Sequence, residues 1–281
     1  MFSNQQIADY YNTTKVHYDR GWDLRYSLAM HYGYWDEKTK NFRSSLNRMN
    51  EALASFGGIQ SGAVVLDAGC GVGGSSIFLA KELGCKVTGI SLSEQQVESA
   101  RNNAKAKRVE LSTRFEKADF RSTPFEAASF DVVWALESAV YDAEKHDFLQ
   151  EVFRLLKPGG RLILGEYIKT PQVMRPREKK IFYKWLNAWA ITDLSTLDHL
   201  KAVATARGFQ QVEIKNVTPQ IRKSSWRMFY GSFFLTVLST LYRWYNPRVS
   251  PFADKHYLGL RYQYSSLRQQ LWAYYFICMT K

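Results

Sequence analysis

Glu137 is the carboxylate that the sequence places best for chemistry. It sits in Trp134-Ala-Leu-Glu-Ser-Ala-Val-Tyr-Asp142, directly after Phe130–Ala135, an apolar run that reads as a buried strand. At the carboxyl edge of a parallel sheet such a group faces the ligand crevice and can take a proton. Tyr141, four residues on, is a candidate partner. The second chemical signature is Val64–Gly74, VVLDAGCGVGG. Val64–Leu66 reads as a strand, Asp67 follows, glycines stand at 69, 71, 73 and 74, and a helical pattern runs from Ser75 to Leu83. Strand, glycine turn and helix make a ligand site, because glycines allow close backbone approach and positive φ and the helix start offers unpaired N–H groups. The spacing differs from the dinucleotide pattern G-x-G-x-x-G, and a glycine-rich turn in another α/β fold is the alternative reading.

These groups need a scaffold, and the chain alternates strands with helices. Residues 3–19 read as a helix with Ile7, Tyr10, Tyr11 and Tyr18 on or near one face. An aromatic segment from Trp22 to Trp35 ends in HYGYWD, and residues 43–56 read as a helix closed by Gly57-Gly58. Lys86–Ile90, Ser112–Lys117, Phe130–Ala135 and Arg161–Glu166 read as strands, with helices over Ser93–Ala106 and Lys145–Leu156. Ser93 is placed to cap the first of these helices, with Gln96 completing a capping-box pattern. Lys157-Pro158-Gly159-Gly160 reads as a turn. The alternation predicts a doubly wound parallel sheet. Beyond Thr170, residues 175–190 and 195–206 read as helices and Phe209–Val217 as a strand, and a long insert, 218–268, precedes a last strand at Trp272–Met279.

The chain has 281 residues, 46% of them hydrophobic and 15% aromatic, which argues against disorder. Cys70, Cys85 and Cys278 form no C-x-x-C or metal spacing, and no basic segment followed by an apolar run opens the sequence. Both point to a reducing, cytoplasmic setting. The charge is uneven. Residues 1–168 carry 20 Lys and Arg against 21 Asp and Glu, and residues 169–281 carry 18 against 5. The later part therefore suits an anionic partner: a phosphorylated substrate, an acidic membrane surface or nucleic acid. A solvated basic surface is the plain alternative. Phe229–Tyr242 is the most apolar run of the insert and is shorter than the roughly 20 residues that span a bilayer. It reads as a lid helix, a lipid-contacting helix at a membrane periphery, or a buried helix.

The Val64–Gly74 stretch resembles the first motif of class I S-adenosylmethionine (SAM) methyltransferases, in which an acidic residue ends the strand before G-x-G-x-G. The resemblance covers Val64–Ile168 most fully. It implies an α/β, Rossmann-like, doubly wound, mostly parallel seven-stranded sheet ending in an antiparallel hairpin. Residues 1–281 would form one domain: a helical lid over 1–58, a SAM-binding core over 59–168, and a substrate part over 169–281. The insert 218–268 would lie between the last two strands, where it could cap the site. SAM is the implied cofactor and S-adenosylhomocysteine its product. In this family an acidic residue usually ends the second strand; here GISLSEQQ puts Ser91 there. That departure resembles a subset that includes sterol, tocopherol and cyclopropane-forming lipid methyltransferases. By that likeness Ser91, Leu92 and Gln96 contact the ribose, with a capping role alone the alternative for Gln96. Asp67, Gly69, Gly71 and, at the end of the fourth strand, Ala135 would contact the cofactor. Asp119 and Phe120 would enclose the adenine. HYGYW resembles the H/Y-x-G-Y/F-W segment of the same subset, which implies Tyr32 and Tyr18 near the methionine carboxylate; aromatic core packing is the alternative.

Glu137-Ser-Ala-Val-Tyr141 resembles the Glu-Ser-x-x-Tyr stretch of prenyl diphosphate C-methyltransferases, where the Glu is the proposed base. Methylating an alkene leaves a carbocation, which aromatic faces stabilise and a carboxylate deprotonates. A structural or SAM-orienting carboxylate is the alternative for Glu137. Trp185 and Phe229 among the aromatics, with Arg222, Lys223 and Arg227, suit a hydrocarbon chain with a phosphate head. The tail GLRYQYSSLRQQLWAYYFICMTK resembles sterol and tocopherol-type enzymes, which act on neutral lipids. The expected function is C-methylation of an isoprenoid, a prenyl diphosphate foremost, with cyclisation of the cation open. Methylation of a neutral lipid, phenol, quinol or amine is the alternative. RNA methylation has only the charge in its favour, because N/D-P-P-Y/F and Pro-Cys motifs are absent. A SAM-binding protein without catalysis completes the range. Mg²⁺ is expected only with a diphosphate acceptor, and no D-D-x-x-D motif marks a site for it.

Overall fold

The computed structural model describes residues 2–21, 24–245 and 251–281, with side chains except those of 15–21, 25, 234–235, 237–245 and 251–256. Three helices come first: α1 (Asn4–Gly21), α2 (Leu24–Ser27) and α3 (Phe42–Gly57). The alternation follows with β1 (Val64–Ala68), α4 (Gly74–Leu83), β2 (Lys86–Ser91), α5 (Glu94–Ala106), β3 (Thr113–Lys117), β4 (Phe130–Leu136), α6 (His146–Leu155) and β5 (Leu156–Lys169). The remainder is α7 (Pro176–Ala188), α8 (Leu197–Arg207), β6 (Gln210–Asn216), α9 (Thr218–Tyr245), α10 (Pro251–Arg268) and β7 (Trp272–Thr280).

Seven strands form one sheet in the order β3-β2-β1-β4-β5-β7-β6. The first five are parallel, and β7 runs antiparallel to both β5 and β6. Side chains alternate across a strand with a period of two, so each central strand feeds two faces. Trp134 and Ile163 join Leu46, Met49 and Leu53 of α3 on one face. Val133 and Leu162 join Phe148, Leu149 and Val152 of α6 on the other. Strands buried on both sides read as continuous apolar runs, which is why they were legible.

Two expectations change. Lys157–Gly160 is a bulge inside β5 rather than a free turn. The pairing with β4 steps from Phe130 opposite Leu156 to Val132 opposite Arg161, and the looped-out stretch bonds Lys281 through Gly159 N–H and Gly160 O. The insert is the hairpin α9–α10, with α10 packed on α7, and no described residue of 218–268 lines the cavity below. That cover comes from α1. Among the described residues no helix is long and apolar enough to cross a membrane.

Candidate active site

A partly open cavity of about 840 Å³ lies at the carboxyl ends of β1, β2 and β4. That is the position at which open α/β sheets hold ligands. The glycine turn makes its floor. Gly71, at φ +53°, faces open space, and an added Cβ would meet only Met30 Sδ, 3.5 Å away. Gly69, at φ +100°, leaves no room: a Cβ there would lie 2.3 Å from that of Ser138. Asp67 is buried beside the turn, where it accepts from the Ser76 hydroxyl at 2.6 Å, and burial pushes its carboxyl up to about 7.

Ser91 is buried, accepts from Ser93 N–H at 3.1 Å and donates to Gln96 Oε1 at 2.7 Å. The α5 cap is therefore one-sided: Ser93 Oγ accepts from Gln96 N–H, while the Gln96 amide turns to Ser91 and the cavity. Leu92, Ala118 and Phe120 complete this wall, and Ile7, Ala8 and Tyr11 of α1 close it above.

A second chamber, about 440 Å³, adjoins the first and shares Tyr11, Met30, His31, Glu137 and Tyr141 with it. Its other walls are Tyr10, Tyr32, Val140, Tyr167, Trp189 and Ile191. Among the described residues, Glu137 is the single acidic residue of this chamber, and no Lys or Arg lines either space. Glu137 adopts φ +57°, a region L side chains seldom enter, and its N–H donates to Gly165 O at 2.8 Å. Its carboxyl accepts from Tyr32 N–H at 2.8 Å and the Tyr274 hydroxyl at 2.8 Å, and pairs with the Tyr167 hydroxyl. Burial outweighs these bonds and pushes it up to about 8. His31 donates from Nδ1 to Tyr32 O at 2.8 Å, and burial drops it to about 4, so it is neutral.

Behind the chamber, Lys145 and Glu166 form a buried pair at 3.9 Å. Lys145 Nζ donates to Ala139 O, and Tyr167 N–H donates to Glu166 Oε1, so the pair braces the turn that carries Ser138 and Tyr141. Burial lowers the lysine and raises the glutamate to about 7.

Other expected residues lie elsewhere. Tyr141 does not pair with Glu137; its hydroxyl donates to Tyr11 at 2.9 Å. Tyr32 lines the second chamber rather than the first, and the Tyr18 side chain lies outside the described residues. The Asp119 carboxylate turns back onto Arg121 at 2.7 Å and accepts from Asn4 Nδ2 at 2.8 Å, leaving Ala118 and Phe120 at the cavity. Ala135 is buried inside β4, and Leu136 reaches the cavity instead. Trp185 is fully buried against Trp272, and Phe229 packs on Tyr264. Arg222, Lys223 and Arg227 stand on the outer face of α9 and line neither space. Tyr167 and Tyr274, which hold Glu137, carried no signal apart from their aromatic strands. Among the described residues no group of three or more His, Cys, Asp or Glu converges as a metal set.

Residues 65–160 match the family described as a methyltransferase domain. This sheet order and the glycine-turn cavity are similar to those of class I SAM-dependent methyltransferases. Sterol and tocopherol methyltransferases are among the curated proteins that the chain is similar to. It is 39% identical to the 27-O-demethylrifamycin SV methyltransferase of Amycolatopsis mediterranei over 53% of this chain and 55% of that protein. It is 32% identical to the sterol 24-C-methyltransferase of Saccharomyces cerevisiae over 64% of this chain and 46% of that one. The chain thus spans about half the length of these curated relatives. Two solved structures share its fold. The [4+2]-cyclase SpnF has a TM-score of 0.80 at 21% identity, covering 99% of this chain and 96% of its own. Geranyl diphosphate C-methyltransferase of Streptomyces coelicolor A3(2), solved with Mg²⁺, geranyl diphosphate and S-adenosyl-L-homocysteine, has 0.75 at 19%, covering 99% and 97%.

Proposed function

We propose that this chain is a SAM-dependent methyltransferase that methylates a carbon of an apolar, isoprenoid-type acceptor. The observation that carries the reading is Glu137, a buried carboxyl shared by a glycine-floored cavity and an aromatic chamber. The first space suits SAM. The open face of Gly71 admits a close ligand, Asp67 offers a carboxyl, Ser91, Leu92 and Gln96 offer a ribose edge, and Phe120 offers a flat wall for the adenine. SAM supplies an electrophilic methyl group when bound. The chamber aligns the acceptor beside it and excludes water. Methylation of an alkene carbon leaves a cation on its neighbour. The faces of Tyr11, Tyr32, Tyr141, Tyr167 and Trp189 lower the cost of that charge. The Glu137 carboxylate then removes a proton from the adjacent carbon, giving a new alkene and a neutral Glu137. A cation that first met a second double bond would close a ring before losing its proton.

A neutral isoprenoid suits these walls better than a diphosphate, because no Lys or Arg lines them among the described residues. A diphosphate carried with Mg²⁺ would keep its head outside the chamber. O-methylation of a phenol or hydroxyl is the second reading, favoured by the likeness to the rifamycin enzyme. The test is incubation with methyl-labelled SAM and a panel of prenyl diphosphates, neutral isoprenols, tocopherol precursors, sterols, phenols, amines and RNA. Label on a carbon of an isoprenoid product is the expected result. Label on oxygen alone supports the second reading, and label only in amines or RNA refutes both.

A further inference from the structure

We propose that the outer face of α9 is a docking surface for an anionic lipid bilayer. Its inner face, Ile221, Ser224, Ser225, Met228 and Ser232, is buried in the protein. The opposite face carries Trp226, Tyr230 and Phe233, which are 51%, 55% and 47% exposed. Positions 226, 230 and 233 follow helical spacing, so the three rings form one stripe, and Trp226 and Tyr230 meet at 4.7 Å between centroids. Arg222, Lys223 and Arg227 flank that stripe on the same face. Lys223 lies 4.0 Å over the Trp35 ring and Arg227 3.9 Å over Phe42, so the N-terminal segment widens the patch. Asp36, the acid next to Trp35, is bound by Arg48 at 2.8 Å.

Charge complementarity selects the partner. No Asp or Glu occurs from Ile214 to Ala253, a stretch holding Lys215, Arg222, Lys223, Arg227, Arg243 and Arg248. Exposed amphipathic rings among cations are what the headgroup layer of an anionic membrane accepts: the rings enter the interface and the cations meet the phosphates. A convex helix face offers no groove to a single nucleic-acid strand, and the like charges of Arg222, Lys223 and Arg227 disfavour a second copy of the same surface. Each cation near an anionic leaflet raises partitioning about fivefold, an effect that salt screens.

The test is sedimentation of the whole protein with phosphatidylcholine vesicles, with and without phosphatidylglycerol, in the absence of SAM or acceptor. It is therefore independent of the proposed methyl transfer. Binding should require the anionic lipid, weaken with salt, and fall at least about 100-fold in R222E/K223E/R227E. W226A/Y230A/F233A should lose binding as well, measured at a temperature where circular dichroism shows the variant folded. The blue shift of indole emission on vesicles should shrink in W226F. Equal binding to neutral vesicles, wild-type binding by the charge-reversed variant, tighter binding to single-stranded RNA than to vesicles, or a dimer that the aromatic variant abolishes would each overturn the proposal.

Discussion

Replacing Glu137 by Gln probes the carboxyl in folding and in catalysis at once. Burial raises this group from 4.5 to about 8, so the folded, ligand-free chain holds it protonated where the unfolded chain has ionised it. Folding takes up a proton in that window. The associated stability is therefore fully present below about pH 4.5 and is lost as pH rises through about 8. The gap corresponds to about 5 kcal/mol. Glutamine reproduces the shape of the protonated acid and cannot ionise. Urea unfolding should give similar stabilities for both proteins near about pH 5 and an advantage to Glu137→Gln of up to that size near about pH 9. Asp67 and Glu166, each raised to about 7, act with the same sign in both proteins and drop out of the difference. In turnover, about one tenth of Glu137 is carboxylate at neutral pH, so wild-type kcat/KM should climb with a midpoint near about pH 8 and level off above about pH 9. The variant should lose that climb and run about 10² to 10⁴ slower, with SAM affinity little changed. Parallel stability curves would refute the buried-acid argument. An unchanged rate and product would remove Glu137 as the base and favour an oxygen or nitrogen acceptor.

Gly71→Val should abolish SAM binding by calorimetry, since its side chain enters the cavity at a φ of +53° that suits no β-branched residue, while Asp67→Ala should weaken binding at least about tenfold by removing a buried acceptor. Tyr274→Phe removes a donor to the Glu137 carboxylate, a bond of about 1.5–3 kcal/mol, so the pH–rate profile should move up by about one to two pH units. Lys145→Met strands a buried carboxylate and should cost about 3–5 kcal/mol in chemical unfolding, with much of it restored by adding Glu166→Leu.

The sheet was readable in the sequence because its central strands are buried on both faces and so appear as unbroken apolar runs between helical periods. The glycine turn was readable because open floor and positive φ demand glycine. The Lys157–Gly160 bulge was not, since proline and paired glycines spell a turn whether the chain reverses or bulges. Asp119 shows a different limit: position relative to a strand says nothing about Arg121, two residues on, which takes its carboxylate. The holders of Glu137 come from the N-terminal segment, β5 and β7, and spacing in sequence carries no trace of such a meeting. The basic residues of α9 could be counted but not aimed; only the helix phase turns them outward, away from the cavity.

Strand β7 also sets an order of assembly. It follows β5 and β6 in the chain yet lies between them, and its partners on β5 are over a hundred residues back, as with Arg161 opposite Thr280. Until it docks, β6 has no neighbour and β5 keeps an open edge, a slow, long-range closure that invites wrong pairing. Tyr274 arrives with that strand. A nascent chain folded only as far as β5 would already possess the glycine turn and Glu137 without the last hydroxyl that steadies the carboxyl. Ligand capture would then mature before proton chemistry, and the final strand would act as a checkpoint that keeps half-made molecules from turning over.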